Sequence, residues 1–297
     1  MQDDSGKFRG VHAVLYALFD RDERIDHGAM AAQVDYCVAQ GCHGITVLGL
    51  ATEVLKLGFD ERTALAKAVG RALDGRLPFS VTIAGNSVAE QGAMAAAAAD
   101  AGADWLILQP PMVGAYCADV YLDIFARVAA STALPVAVQN APQYLGRALS
   151  AEDLARLKGR CANLMAVKGE DAAIGIRRII EIAGADLHVL GGRGGLEMTD
   201  TLRAGCEGFV LAPEIAPVAA RIFDLWAAGR IEEAEALYAG VLPAATFVMQ
   251  SLEHLITYGK RIFGANAGIE IHDRAPCLAP TPFGLETAAR WAAALRT

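Results

Sequence analysis

The sequence predicts an α/β fold, a closed (β/α)8 TIM barrel with a C-terminal helical extension. Three observations carry that reading: short apolar runs recur about eight times, each is followed by a stretch with helical spacing, and no glycine-rich phosphate loop follows the first run. The runs are near-continuously apolar instead of alternating, as expected where helices cover both faces of a parallel sheet. About eight β-α units is the number that closes a barrel. The rival is a doubly wound open sheet, which a Gly-rich loop after the first strand would favour; "ALFDRDERIDHG" contains none.

The elements follow in order. "GVHAVLYALF" (10–19) reads as the first strand, with helix-like spacing over 28–41. "HGITVLG" (43–49) precedes a helix at 60–74, and "FSVTIAG" (79–85) an alanine-rich helix at 88–101. "DWLILQP" (104–110) precedes 118–131, where Val120, Ile124 and Val128 make an apolar face. "PVAVQN" (135–140), "NLMAVK" (163–168), "DLHVLGG" (186–192) and "GFVLAP" (208–213) complete the series. After residue 217 the strand signal stops, and "APVAARIFDLWAAG", "RIEEAEALYAGVLPAATFVMQ" and "LETAARWAAALR" read as helices, with Gly229 and Pro243 as punctuation. The barrel body is therefore placed at 1–216. Residues 217–297 hold the last barrel helix and an extension docked on the barrel, or else a small second domain; the lack of a low-complexity linker favours docking.

Composition narrows the function classes. With 297 residues, 54% of them hydrophobic and 20% charged, and a mean hydropathy of +0.31, the chain can build a large core. A net charge of -8 without any basic run argues against a nucleic-acid partner. None of the six cysteines forms a C-x-x-C pair, and most sit among apolar neighbours, as reduced core cysteines do. The start "MQDDSGKFRG" lacks the character of a secretory signal, and the most apolar region, 91–115, is interrupted by Asp100 and Asp104. The expectation is a cytoplasmic protein with no membrane partner. The six histidines show no metal-ligand spacing, so no metal is expected, and His12 and His188 read as core residues.

Barrel active sites lie at the C-terminal strand ends. Candidates there are Gly49 to Glu53, Gln109, Gln139 with Asn140, Lys168, and Gly191 to Arg193. Lys168 is the only lysine among them and ends the apolar run "NLMAVK". An amine held away from water loses its charge more readily and becomes a nucleophile able to form a Schiff base with a ketone. The alternative is a lysine that snorkels to the rim and pairs with Glu170 or Asp171. Position alone leaves both open.

The motifs "GCHGITVLGLATEVLKLGFDER" (41–62), "QPP" (109–111), "VQNAP" (138–142), "MAVKGE" (165–170) and "GFVLAP" (208–213) stand in one order and spacing. In these the chain, over about residues 8–295, resembles the dihydrodipicolinate synthase and N-acetylneuraminate lyase family of class I aldolases. The resemblance implies that Lys168 is the Schiff-base lysine, that the substrate is a small 2-keto acid, that no cofactor is needed because the imine is the electron sink, and that the chain forms a homotetramer. Val210 matches a family position whose backbone lines the keto-acid pocket.

The departures are specific. Where the family usually has Gly-Thr-Thr-Gly-Glu, this chain has Gly49-Leu50-Ala51-Thr52-Glu53. Backbone N–H groups of such a turn still suit a carboxylate, which makes Gly49, Ala51 and Thr52 substrate-binding candidates. Thr52 serves equally well as a helix N-cap. Gln139 stands in place of the family's proton-shuttling tyrosine, and an amide cannot act as a general base. It is the second catalytic candidate, able to orient a hydroxyl or a water. Tyr144 stands where the synthase has an arginine for a second carboxylate. The strand end "VQ-x-AP" and a hydroxyl residue before the glutamate resemble the L-2-keto-3-deoxyarabonate dehydratase-like subgroup.

The implied activity is dehydration of a 2-keto-3-deoxy sugar acid to a product such as 2-oxoglutarate semialdehyde. Loss of the C4 hydroxyl needs an acid that the sequence does not identify. A pyruvate-dependent aldolase or synthase is the alternative, and a catalytically lapsed keto-acid-binding barrel a further one. Arg193, in "GGRGGLE", either contacts a polyol or carboxylate or is solvated; Glu197 either serves the site or favours a helix start. Asp273 and Arg274, in a late R-x-P stretch, read as structural.

Overall fold

Eight parallel strands close into one barrel in chain order, each paired with the next and the last with the first. They are β1 (Gly10–Val14), β2 (Gly44–Val47), β3 (Phe79–Ile83), β4 (Trp105–Leu108), β5 (Val136–Asn140), β6 (Leu164–Gly169), β7 (His188–Gly191) and β8 (Gly208–Leu211). Between them run α1 (His27–Ala39), α2 (Phe59–Leu73), α3 (Val88–Asp100), α4 (Ala118–Ala129), the short α5 (Pro142–Leu145), α6 (Ala151–Arg160), α7 (Ala173–Ala183) and α8 (Met198–Arg203). After β8 come α9 (Ala216–Ala227), α10 (Ile231–Val248), α11 (Leu252–His254), a π-helical turn (Leu255–Gly259), α12 (Lys260–Ala267) and α13 (Pro282–Ala294). This computed structural model describes residues 4–184 and 186–296. Residues 1–3, 185 and 297 of the two expected regions lie outside the described residues.

The predicted fold class is the observed one, and each apolar run holds a strand. The runs overshoot the strands, however. β1 ends at Val14, and Leu15 to Phe19 leave the sheet while staying buried; Phe19 makes isolated antiparallel bridges to Ile25 and His272. β2 stops at Val47 because Leu48 turns to φ 64°, a left-handed conformation costly for a bulky residue. Apolarity reported burial in both places, and burial at the barrel mouth does not require a strand.

Two helical expectations change. Pro243, read as punctuation, lies inside α10. Its missing N–H and ring clash cost about 3 kcal/mol. Val241, Ala244, Ala245 and Val248 bury on the same helix, and each buried valine returns about 1.5–3 kcal/mol, so packing outweighs the break. Gly229 does mark a boundary, at φ 76° between α9 and α10. Segment 252–267, to which the sequence reading assigned no element, is helical and places residues at the mouth.

One irregularity sets up the site. Val136 of β5 pairs with Leu164, but Ala137 pairs with Ala166, so Met165 is an extra residue in β6. The shift puts Gln139 beside Lys168; an unshifted register would put it beside Val167, whose side chain points to the other face.

Four cysteines are buried and free, whereas Cys117 and Cys277 are exposed, in keeping with a core reading for most of them. Among the described residues no helix is long and apolar enough to cross a membrane. His12 is fully buried edge-on to Trp105, their ring centroids 5.5 Å apart. Neither of its ring nitrogens has a hydrogen-bond partner among the described residues, and burial lowers its pKa to about 4.

That shift has a sign. Between pH ~6.5, where an unfolded histidine titrates, and about 4, the unfolded chain binds the extra proton, so stability falls as pH falls through this window. His12 should account for roughly 2 kcal/mol of the loss between pH 7 and 5. Urea unfolding of His12→Leu should therefore show a flatter pH dependence there than wild type.

Candidate active site

Residues two apart on a strand share a face, so Lys168 at the end of β6 points into the barrel mouth with Glu170, the next-but-one residue. Lys168 is 7% exposed and Glu170 4%. Lys168 Nζ lies 2.5 Å from Glu170 Oε1. Lys168 is thus paired with Glu170 inside the mouth, and the two line a cavity with Ala51, Tyr144, Arg193 and Val210. The ammonium does not snorkel to the rim. Asp171 faces away, its carboxylate accepting from the Ala172 N–H at the start of α7.

Glu170 is held from two sides. Gln139 Nε2 donates to Glu170 Oε1 at 2.7 Å. Just past β7, Gly192 packs so closely that a β-carbon there would come within 2.7 Å of Glu170 Cγ, so only glycine leaves the carboxylate room. Gln139 has no free end, because its Oε1 accepts from Gln109 Nε2 at 2.7 Å. It is 2% exposed and bonds to Glu170, which lines the cavity.

The turn after β2 forms the opposite wall. Leu48 and Glu53, both at positive φ, bracket it. Within it the Thr52 N–H bonds back to the Gly49 carbonyl and the Glu53 N–H to that of Leu50. Among the described residues the N–H groups of Leu50 and Ala51 have no hydrogen-bond partner, and both residues face the cavity. Gly49 sits behind them, where a β-carbon would meet Val14 Cγ2 at 2.7 Å. Thr52 is fully buried and donates its hydroxyl to the Leu15 carbonyl at 2.5 Å. It neither lines the cavity nor caps a helix, because its hydroxyl ties the turn to the chain leaving β1.

Glu53, 5% exposed, accepts from both Lys56 and Lys260. Lys260 is fully buried, and burial pushes its ammonium pKa down while Glu53 pulls it up. Its Nζ also lies 4.9 Å from the Phe19 ring centroid. This contact fastens the C-terminal helices to the turn, and Met249, Leu252 and Leu255 from those helices close the mouth. Asp273 pairs with Arg261 and Arg274 with Glu61, so the late segment ties helices together.

Arg193 stands at φ 53° after β7, lines the cavity and donates to Glu197 at 2.8 Å. Its Nε is buried without a partner among the described residues. Tyr144 faces it: burial raises the phenol pKa, the Glu170 charge raises it further, and the Arg193 charge opposes both. At the barrel seam, Tyr16 donates to Glu214 at 2.7 Å, and burial lifts the Glu214 carboxyl to about 7. Among the described residues no three His, Cys, Asp or Glu side chains converge as a metal-binding group.

Sequence reasoning missed Glu170 as a resident of the mouth, although the two-residue spacing from Lys168 was a usable signal. It also took Tyr144 only as a lost arginine and left Gln109 without a role. Nothing local announces the leucines of the extension.

The closed barrel with a lysine–carboxylate pair at its C-terminal mouth defines a class of lysine-centred barrels. Residues 7–278 match the dihydrodipicolinate synthetase family, and the chain belongs to it. Members of that family are class I lyases and aldolases. The chain is 28% identical to the L-2-keto-3-deoxyarabonate dehydratase of Azospirillum brasilense, over 80% of this chain and 78% of the relative. It is 26% identical to a probable 2-dehydro-3-deoxy-D-pentonate aldolase of Escherichia coli, over 87% and 88%. In fold it is similar to the E. coli prophage protein of the dihydrodipicolinic acid synthase family solved with pyruvate, with a TM-score of 0.90, 21% identity, and coverage of 97% of this chain and 99% of that one.

Removing one partner of a buried ion pair strands the other. Lys260→Met leaves Glu53 with Lys56 alone and should destabilise the fold by about 3 kcal/mol, read as a lower urea midpoint.

Proposed function

We propose that the protein is a Schiff-base lyase that dehydrates a 2-keto-3-deoxy sugar acid, with an L-2-keto-3-deoxyarabonate-like substrate and 2-oxoglutarate semialdehyde as product. The observation that carries the reading is the 2.5 Å contact of Lys168 with Glu170 on the cavity wall. It gives a nucleophile and a proton carrier in one place, and Glu170 then takes the part of the tyrosine replaced by Gln139.

Glu170 accepts a proton from Lys168, and the neutral amine attacks C2 of the keto acid. Glu170 returns that proton to the C2 oxygen and then carries a second one to it from the attacking nitrogen, so that the oxygen leaves as water and the protonated imine remains. The imine draws electrons from C3, so the Glu170 carboxylate can remove a C3 proton and form the enamine. The enamine expels the C4 hydroxyl, which takes the proton held by Glu170 and departs as water. A proton then moves from C5 to C3, the resulting C4–C5 enol becomes the aldehyde, and hydrolysis frees Lys168.

The N–H groups of Leu50 and Ala51 hold the substrate carboxylate, and Val210 borders the same pocket. Arg193 and Tyr144 take the distal hydroxyls. Gly49 and Thr52 act by shaping the turn, and Gln139 by orienting Glu170. The activities named for the Azospirillum and E. coli relatives support a deoxy keto acid in either direction of chemistry. Pyruvate-releasing aldol cleavage is the second reading, favoured by the Tyr144 phenol beside Arg193 at the mouth. Family resemblance adds a cytoplasmic homotetramer, which sedimentation velocity checks for assembly.

Borohydride reduction with pyruvate should leave a covalent adduct on Lys168 that is absent in Lys168→Ala; no adduct on the wild-type protein sinks the reading. In a turnover screen over deoxy keto acids, a semialdehyde product supports dehydration, released pyruvate supports cleavage, and an adduct without turnover supports a binding protein. Glu170→Gln should keep the fold and lower kcat by roughly 10²–10⁴-fold.

A further inference from the structure

We propose that Gln109 is a positioning residue which, through Gln139, keeps Glu170 a proton acceptor; the inference rests on the roles given above to Lys168 and Glu170. Three buried amides run in line toward the carboxylate. Gln91 Nε2 donates to the carbonyl of Gln109 at 3.0 Å and to that of Gly85 at 2.9 Å, while the Gln109 N–H donates to the Ile83 carbonyl. These bonds fix the backbone of Gln109. Its Nε2 donates to Gln139 Oε1, and Gln139 Nε2 donates to Glu170 Oε1, both at 2.7 Å. Gln91, Gln109 and Gln139 are 0%, 1% and 2% exposed, so water does not substitute for a missing partner.

The direction of this relay follows from chemistry. An amide has one donating and one accepting end, and its neighbours decide which faces where. An ionised carboxylate only accepts, so Gln139 turns its NH2 to Glu170 and its oxygen to Gln109, which must then present an NH2 of its own. The logic also runs backwards. An acceptor at position 109 demands the NH2 of Gln139, turns its oxygen toward Glu170, and leaves that bond intact only if Glu170 carries a proton. Position 109, on the strand next but one to the lysine, thus governs whether the carboxylate is ready to take a proton from Lys168 or from C3. The other polar groups facing Glu170 are Lys168 from β6, Tyr144 from α5 and Arg193 from the turn after β7. None of them changes when position 109 is altered.

A Gln–Gln contact that merely filled space would affect stability and leave the pH dependence in place. The test is the rate of borohydride-trapped pyruvate adduct formation on Lys168, followed by intact mass from pH 5.5 to 9.5 in the full chain. In Gln109→Glu the acid limb of the profile should move up by about one pH unit. Because an added carboxylate also acts directly through space, the same change is made in Gln139→Met, where the relay is cut and only the smaller through-space part of the shift should remain. Gln109→Met should slow adduct formation severalfold with little change in the pyruvate concentration at half-maximal rate. A Gln109→Glu limb that coincides with wild type, or a shift that persists undiminished in Gln139→Met, overturns the relay and leaves the roles of Lys168 and Glu170 standing. Should Gln109→Glu fail to fold, an adduct rate in Gln109→Met equal to wild type at every pH overturns it as well. No adduct on wild type overturns the parent reading and the relay together.

Discussion

The contact between Lys168 and Glu170 is the constraint around which the barrel mouth is organised. Taking two opposite charges out of water is costly, and their attraction compensates only when geometry is good and the remaining valences are satisfied. Both conditions are met by neighbours that have little other purpose there. The extra residue at Met165 brings Gln139 alongside, Gln139 supplies a hydrogen bond, and Gly192 leaves space. Burial then keeps the pair largely out of water, Lys168 at 7% and Glu170 at 4% exposure.

The C-terminal helices belong to the same arrangement. Lys260 reaches from α12 to Glu53 at the base of the turn after β2, so wall and roof of the cavity share one buried anchor. The left-handed Leu48 and Glu53 are strained conformations held by this surrounding structure. What they produce is a pair of backbone N–H groups, on Leu50 and Ala51, without partners among the described residues. The route from sequence to chemistry therefore runs through backbone shape on one side of the cavity and side-chain charge on the other.

The barrel was legible because both determinants of the reading are local: a run of apolar residues long enough for a strand, and a helical period after it. Lys168 was legible for the same reason, since a lysine at the end of an apolar run is conspicuous. The overshoot at Leu15 to Phe19 arose because apolarity encodes burial and not backbone conformation. Gln139 was found by its place in a motif, but its orientation depends on Gln109, thirty residues earlier in the chain and adjacent only after the sheet closes. Thr52 was ambiguous because its hydroxyl partner, the Leu15 carbonyl, belongs to a different strand end. Pro243 misled because local propensity was set against burial supplied by distant elements.

The charges at the mouth come as couples, Lys168 with Glu170 and Arg193 with Glu197, on a chain whose overall charge is -8. Such a mouth presents little far-reaching field to an approaching anion. Encounter is then governed by ordinary diffusion, and discrimination begins only at contact, where dipoles and shape act over a few ångströms. Ionic strength accordingly acts on the approach through the repulsion between the net charge of -8 and the anion, and not through the mouth itself.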